Sequence, residues 1–172
     1  MDKQELQQAQ QPIKQHYRQD PAAARLTLRA SASLGDGVSC SVQTGQAMVS
    51  AGLHPATGGT GLLACSGDML LQALAACAGV TLSAVATSLE IPIDSGTIEV
   101  AGDLDFSGTL GVNKNAPVGF TAIRLRFDLG TTATPEQIET LLRLTERYCV
   151  VFQTLVNPPL VQMSAKVASP SS

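Results

Sequence analysis

Apolar and polar positions divide the chain into alternating and helical stretches. Leu26-Thr27-Leu28 alternates, Gly35-Asp36-Gly37 turns, and Val38-Ser39-Cys40-Ser41-Val42 alternates again. Thr44-Gly45 turns once more before Ala47-Met48-Val49. This period of two predicts a β-meander from Arg25 to about Ser50. A loop dense in glycine and proline follows, with His54-Pro55-Ala56-Thr57-Gly58-Gly59 in it. Next comes a long helix, with Ser66 as N-cap and Asp68 in the first turn, where the helix dipole favours a carboxylate. Met69, Leu70, Leu71, Leu74, Val80, Leu82, Val85 and Leu89 make it apolar nearly all round, with small residues between them. Such a helix is expected to be buried on every side. It ends before Pro92.

A second β segment is predicted from about Gly96 to Leu129. Ile98, Val100, Leu104 and Phe106 share one strand pair, while Ile123, Leu125, Phe127 and Leu129 alternate with Arg124, Arg126 and Asp128. The latter is a strand with one wet face. Thr134-Pro135-Glu136-Gln137 then opens a helix with a capping box and proline at its first position. Its inner stripe is Ile138, Leu141, Leu142, Thr145, Tyr148, Cys149, Phe152 and Leu155, and Asn157-Pro158-Pro159 stops it. A final strand is predicted from Leu160 to Val167. The order predicts an α+β fold, with helices packed on one face of antiparallel sheet. The boundaries are an N-terminal arm or short helix over 1–24, one domain over 25–168, and a tail at 169–172.

Composition narrows the classes. Hydrophobic residues make up 44% of the 172, which suits a globular domain. Aromatics are only 3%, and the net charge is -3. Neither a base-stacking surface nor a basic footprint is present, so nucleic acid is not an expected partner. The stretch from Met69 to Leu89 is interrupted by Gln72, Thr81, Ser83, Thr87 and Ser88, so no membrane span is expected. Met1-Asp2-Lys3-Gln4-Glu5 has no apolar run behind it, so no secretory signal is expected and the cytoplasm is the expected compartment.

Cytoplasmic cysteines stay reduced unless they do redox work. There are four, at Cys40, Cys65, Cys77 and Cys149, and none forms a Cys-x-x-Cys pair. With only His16 and His54 beside them, the spacing is poor for zinc, and no metal or bound cofactor is expected. Cys77 falls mid-way along the long helix. Cys149 is eleven residues after Ile138, which at about 100° per residue returns it to the same inner face. Each alone reads as a small core hydrophobe. A disulfide needs Cα atoms within about 7 Å. Two crossing helices can bring Cys77 and Cys149 that close, whereas Cys65 and Cys77 in one straight helix stand about 15–18 Å apart. Cys40 and Cys65 read as structural.

Asp68-Met69-Leu70-Leu71-Gln72-Ala73-Leu74-Ala75-Ala76-Cys77 resembles the central-helix motif of the OsmC/Ohr family, the osmotically inducible and organic hydroperoxide resistance proteins. Arg147-Tyr148-Cys149-Val150-Val151 resembles that family's second cysteine motif, and the loop at His54 looks like that of an OsmC-like subgroup. The resemblance spans roughly residues 25–167. It implies antiparallel sheets wrapped around a long central helix in an intertwined homodimer. It also implies thiol-dependent reduction of organic hydroperoxides, with Cys77 peroxidatic, Cys149 resolving and an external dithiol as reductant.

Two departures qualify that chemistry. The Ohr branch places a carboxylate ten residues before the first cysteine; here that position is Gly67, and Asp68 falls on the opposite helix face, roughly 13 Å along the axis. The arginine of that branch would fall at Gly35-Asp36-Gly37, which has none, leaving Arg29, Arg25 or Arg18 as substitutes and His54 as a further source of charge. A mid-helix cysteine lacks the N-terminal dipole, so Cys77 is expected to stay largely protonated. The alternative reading is a non-catalytic dimer of the same fold that binds a small apolar ligand.

Overall fold

The computed structural model describes residues 2–19, 32–34, 39–44, 47–111 and 113–167. The N-terminal stretch forms helix α1 (Lys3–Gln19), which packs against the long central helix. Strands β1 (Ala32–Leu34), β2 (Ser39–Thr44) and β3 (Ala47–Gly52) make the antiparallel meander, with Cys40 opposite Ala51. The expected strand at Leu26–Leu28 and turn at Gly35–Gly37 lie outside the described residues. A short β4 (Ala64–Cys65) adds to β3 in parallel, so this sheet is mixed rather than wholly antiparallel.

Helix α2 (Ser66–Leu89) starts directly from β4. Its N-cap is therefore Cys65, in extended conformation, and not Ser66, which already has helical geometry; no side chain caps it. Leu74, Ala78, Leu82 and Ala86 are its buried residues, one stripe at a spacing of four. The expectation of burial on every side is not met in the single chain, where Val80 is 72% exposed and Leu70 and Leu89 are exposed too. The helix is long and apolar enough to cross a membrane by length and composition. Here its buried stripe lies against sheet and helices instead.

That sheet is the hairpin of β5 (Ser95–Asp103) and β6 (Ala122–Gly130), paired in register from Ser95–Gly130 to Asp103–Ala122. β5 stops before the expected Leu104 and Phe106. The Asp105 carboxylate accepts the Ser107 N–H at 2.9 Å and opens a one-turn helix, α3 (Phe106–Thr109). Along β6, Ile123, Leu125, Phe127 and Leu129 face inward and Arg124, Arg126 and Asp128 face water, as the alternation requires. Arg124 pairs with Asp103 and Arg126 with Asp128 on that wet face.

The capping box is formed at Thr134: its hydroxyl accepts the Gln137 N–H at 3.3 Å, and its own N–H donates to Gln137 Oε1 at 2.9 Å. Behind it runs α4 (Pro135–Tyr148). The expected single helix then breaks. Cys149 is extended (φ −73°, ψ 108°) and serves both as C-cap of α4 and as N-cap of α5 (Val150–Val156). Two β-branched residues directly after it weaken helix continuation at this point. Beyond α5 the expected strand Leu160–Val167 is extended chain with exposed side chains, because a strand needs a neighbour and none of the described residues pairs with it.

Two core clusters meet along α2. One holds Leu82, Ala86, Ile91 and Leu141; the other holds Leu74, Ala78 and Cys149. Leu141 is fully buried. Leu141→Ala is expected to cost about 2–5 kcal/mol, and Thr134→Ala about 1 kcal/mol, read from urea denaturation midpoints.

Candidate functional site

The break at Cys149 decides what happens around the thiols. Leaving helical geometry there frees the first N–H groups of α5, which have no carbonyl partner inside that helix. The Cys149 carbonyl still accepts the Gln153 N–H at 2.9 Å, and the Cys149 N–H still donates to Thr145 at 2.9 Å. The break sets Cys149 in the same core cluster as Ala78, against which the half-buried Cys77 also packs. Both thiols are free.

Their environments push them in opposite directions. Burial pushes the Cys77 thiol up. The Val151 N–H, the Cys149 thiol, the Val150 N–H and the Thr81 hydroxyl outweigh it as hydrogen-bond donors and hold Cys77 below the ordinary cysteine range. Burial also acts first on Cys149. The Phe152 and Val151 N–H groups favour its thiolate, but the neighbouring Cys77 opposes it, and Cys149 ends above the ordinary range. Cys149 is 1% exposed. The arrangement therefore places a sulfur whose thiolate is favoured beside one whose thiolate is disfavoured.

The direction of this shift is one that the sequence around Cys77 gave no reason to expect. Its own helix supplies no dipole there, since Cys77 lies about three turns into α2. The missing donors come from another element, the start of α5, which is not readable from the motif around Cys77. Thr81 was readable, standing four residues on and hence on the same face. Among the described residues, no charged side chain acts on Cys77.

The supporting residues fall elsewhere. Asp68 and His54 do not join the thiol pair; they line a separate cavity of about 350 Å³ with Cys65, Phe106 and Phe120 at the start of α2. His54 is fixed there. Its Nδ1 accepts the Ala56 N–H at 3.0 Å, and its ring stacks on Phe106 at 4.9 Å. Asp68 is exposed, as the helical wheel placed it. Arg29 and Arg25 lie outside the described residues, as does the side chain of Arg18. Cys65 is free and half-buried. No group of three histidine, cysteine or acidic side chains suited to a metal ion occurs among the described residues.

A second cavity, about 260 Å³, opens between β6 and the α4–α5 junction, with Cys149 in its lining.

The family profile for OsmC-like proteins matches residues 59–164. No curated protein sequence matches the chain. Among solved structures, an OsmC-like protein from Mycoplasma pneumoniae superposes with a TM-score of 0.64 at 20% identity, covering 77% of this chain and 89% of the other. An organic hydroperoxide resistance protein OsmC from Legionella pneumophila gives 0.60 at 16%, covering 77% and 90%. An organic hydroperoxide resistance protein from Elizabethkingia anophelis, with thiocyanate bound, gives 0.56 at 19%, covering 77% and 91%. At these identities the likeness is one of fold.

The alkylation of the two thiols against pH checks the electrostatics. Cys77 is expected to react with iodoacetamide at a pH below that of an ordinary cysteine, and Cys149 only above it. Val150→Pro removes one donor at a helix position where proline fits, after a residue already extended. It is expected to shift the Cys77 profile upward without unfolding the protein.

Proposed function

The chain belongs to the OsmC-like protein family, and on that premise we propose that it is a thiol-dependent peroxidase that reduces organic hydroperoxides. The observation that supports this reading is the opposed pair in one core cluster: Cys77 shifted toward the thiolate by α5 donors, and Cys149 shifted away from it.

The chemistry follows from that difference. The Cys77 thiolate attacks the O–O bond, the outer oxygen transfers to sulfur, and the alkoxide leaves as alcohol after taking one proton. Cys77 is then a sulfenic acid. The Cys149 sulfur displaces its hydroxyl as water, and a Cys77–Cys149 disulfide forms. An external dithiol returns both thiols by exchange and leaves as its own disulfide. The protein needs no bound cofactor for any of these steps.

A homodimer is part of the proposal. Val80, Leu89, Val150 and the Leu160–Val167 segment leave much apolar surface exposed in the single chain. Surface of that extent is a usual mark of a protein interface.

Purified protein reduced by a dithiol is expected to consume cumene hydroperoxide repeatedly. Cys77→Ser should abolish consumption, and Cys149→Ser should stop after one equivalent with a trappable sulfenic acid. Wild-type turnover in Cys77→Ser would overturn the reading. Gel filtration of the same sample should give twice the chain mass.

A further inference from the structure

In a continuous helix each N–H bonds to the carbonyl four residues back, so the Val150 N–H would take Glu146 and the Val151 N–H would take Arg147. That ladder is intact on both sides of the α4–α5 break: Cys149 donates to Thr145 and Gln153 to Cys149, each at 2.9 Å. Between them, the Glu146 carbonyl accepts from a side chain instead, Gln153 Nε2 at 2.9 Å. The other end of that amide is held as well, since Asn157 Nδ2 donates to Gln153 Oε1 at 3.1 Å. Val150, Val151 and Phe152 include neither proline nor glycine, and β-branching lowers helix propensity only slightly. A side chain inserted into the ladder is a known cause of such an interruption.

We propose that Gln153 is a positioning residue for the Cys77 thiol: its side-chain amide holds the Glu146 carbonyl, keeps the chain extended at Cys149, and so leaves the Val150 and Val151 N–H groups free for the Cys77 sulfur. Gln153 is half-buried at the junction and is not itself among the groups acting on Cys77, so it works through the backbone. The three amides released by the break divide between the thiols. Val150 and Val151 favour the Cys77 thiolate, while Phe152 and Val151 act on Cys149. Without the amide, the Glu146 carbonyl is open to the Val150 N–H again, and a continuous helix competes with the broken one. The latch carries no charge, so it holds across the range in which the thiols titrate. What the thiolate is used for rests on the peroxidase reading above; the geometry of the latch does not.

The test is the pH profile of Cys77 alkylation by iodoacetamide in the reduced, full-length protein, with no peroxide present. Gln153→Met keeps the length and helix propensity of the side chain and removes both ends of the amide. It is expected to label Cys77 about three- to tenfold more slowly at neutral pH, the range of one net hydrogen bond, with the profile moved to higher pH. General loosening of the junction would do the reverse and speed the labelling of both thiols. Gln153→Lys restores a donor to the Glu146 carbonyl and is expected to label like wild type in about 1 M salt, where the Debye length is about 3 Å. The Cα chemical shift of Cys149 should move toward the helical value in Gln153→Met and stay in place in Gln153→Lys. Cys77 labelled in Gln153→Met at the wild-type rate or faster, Gln153→Lys as slow as Gln153→Met, or an unmoved Cys149 shift in Gln153→Met would each overturn the proposal. Because no peroxide is used, failure here is separate from failure of the peroxidase reading.

Discussion

The Val150 and Val151 N–H groups reach the Cys77 sulfur only because the chain leaves helical geometry at Cys149. Were α4 to continue unbroken, those N–H groups would bond to carbonyls one turn back, and the Thr81 hydroxyl would be the donor left on α2 itself. The same break turns Cys149 into the second core cluster. One backbone irregularity thus places one sulfur and conditions the other. It depends in turn on α2 presenting small residues, Ala78 above all, where the α4–α5 junction approaches.

Among the described residues, the groups acting on Cys77 are uncharged. An ion's effect on a thiolate survives some distance, whereas backbone donors act only in contact. The position of α5 against α2 is therefore what sets the Cys77 environment, and a small displacement of α5 is felt at that sulfur.

Much of the fold was legible along the chain. The period-two pattern from Ile123 to Leu129 located β6, and the Thr134–Gln137 box located the start of α4, because both signals are local. The mispredicted points are where a neighbour decides. Ser66 lost its N-cap role since β4 runs straight into α2. Leu104 and Phe106 left the strand because Asp105 caps a new turn. Leu160–Val167 alternates well enough, but pairing is a property of two strands, and only one was being read. In the site, both cysteines were legible from spacing and motif. The α5 donors were not, because backbone groups leave no mark in residue identity.

The turn at His54 has a consequence for the cavity it shares with Cys65 and Asp68. A neutral imidazole that accepts a hydrogen bond at Nδ1 carries its proton on Nε2. The free nitrogen of His54 is thus already protonated and can only give. The triad of residue types found in cysteine proteases is present around that cavity, yet its imidazole is held in the tautomer that cannot deprotonate a thiol. Among the described residues Cys65 is left without a general base, while Cys77 stands about three helical turns further along α2.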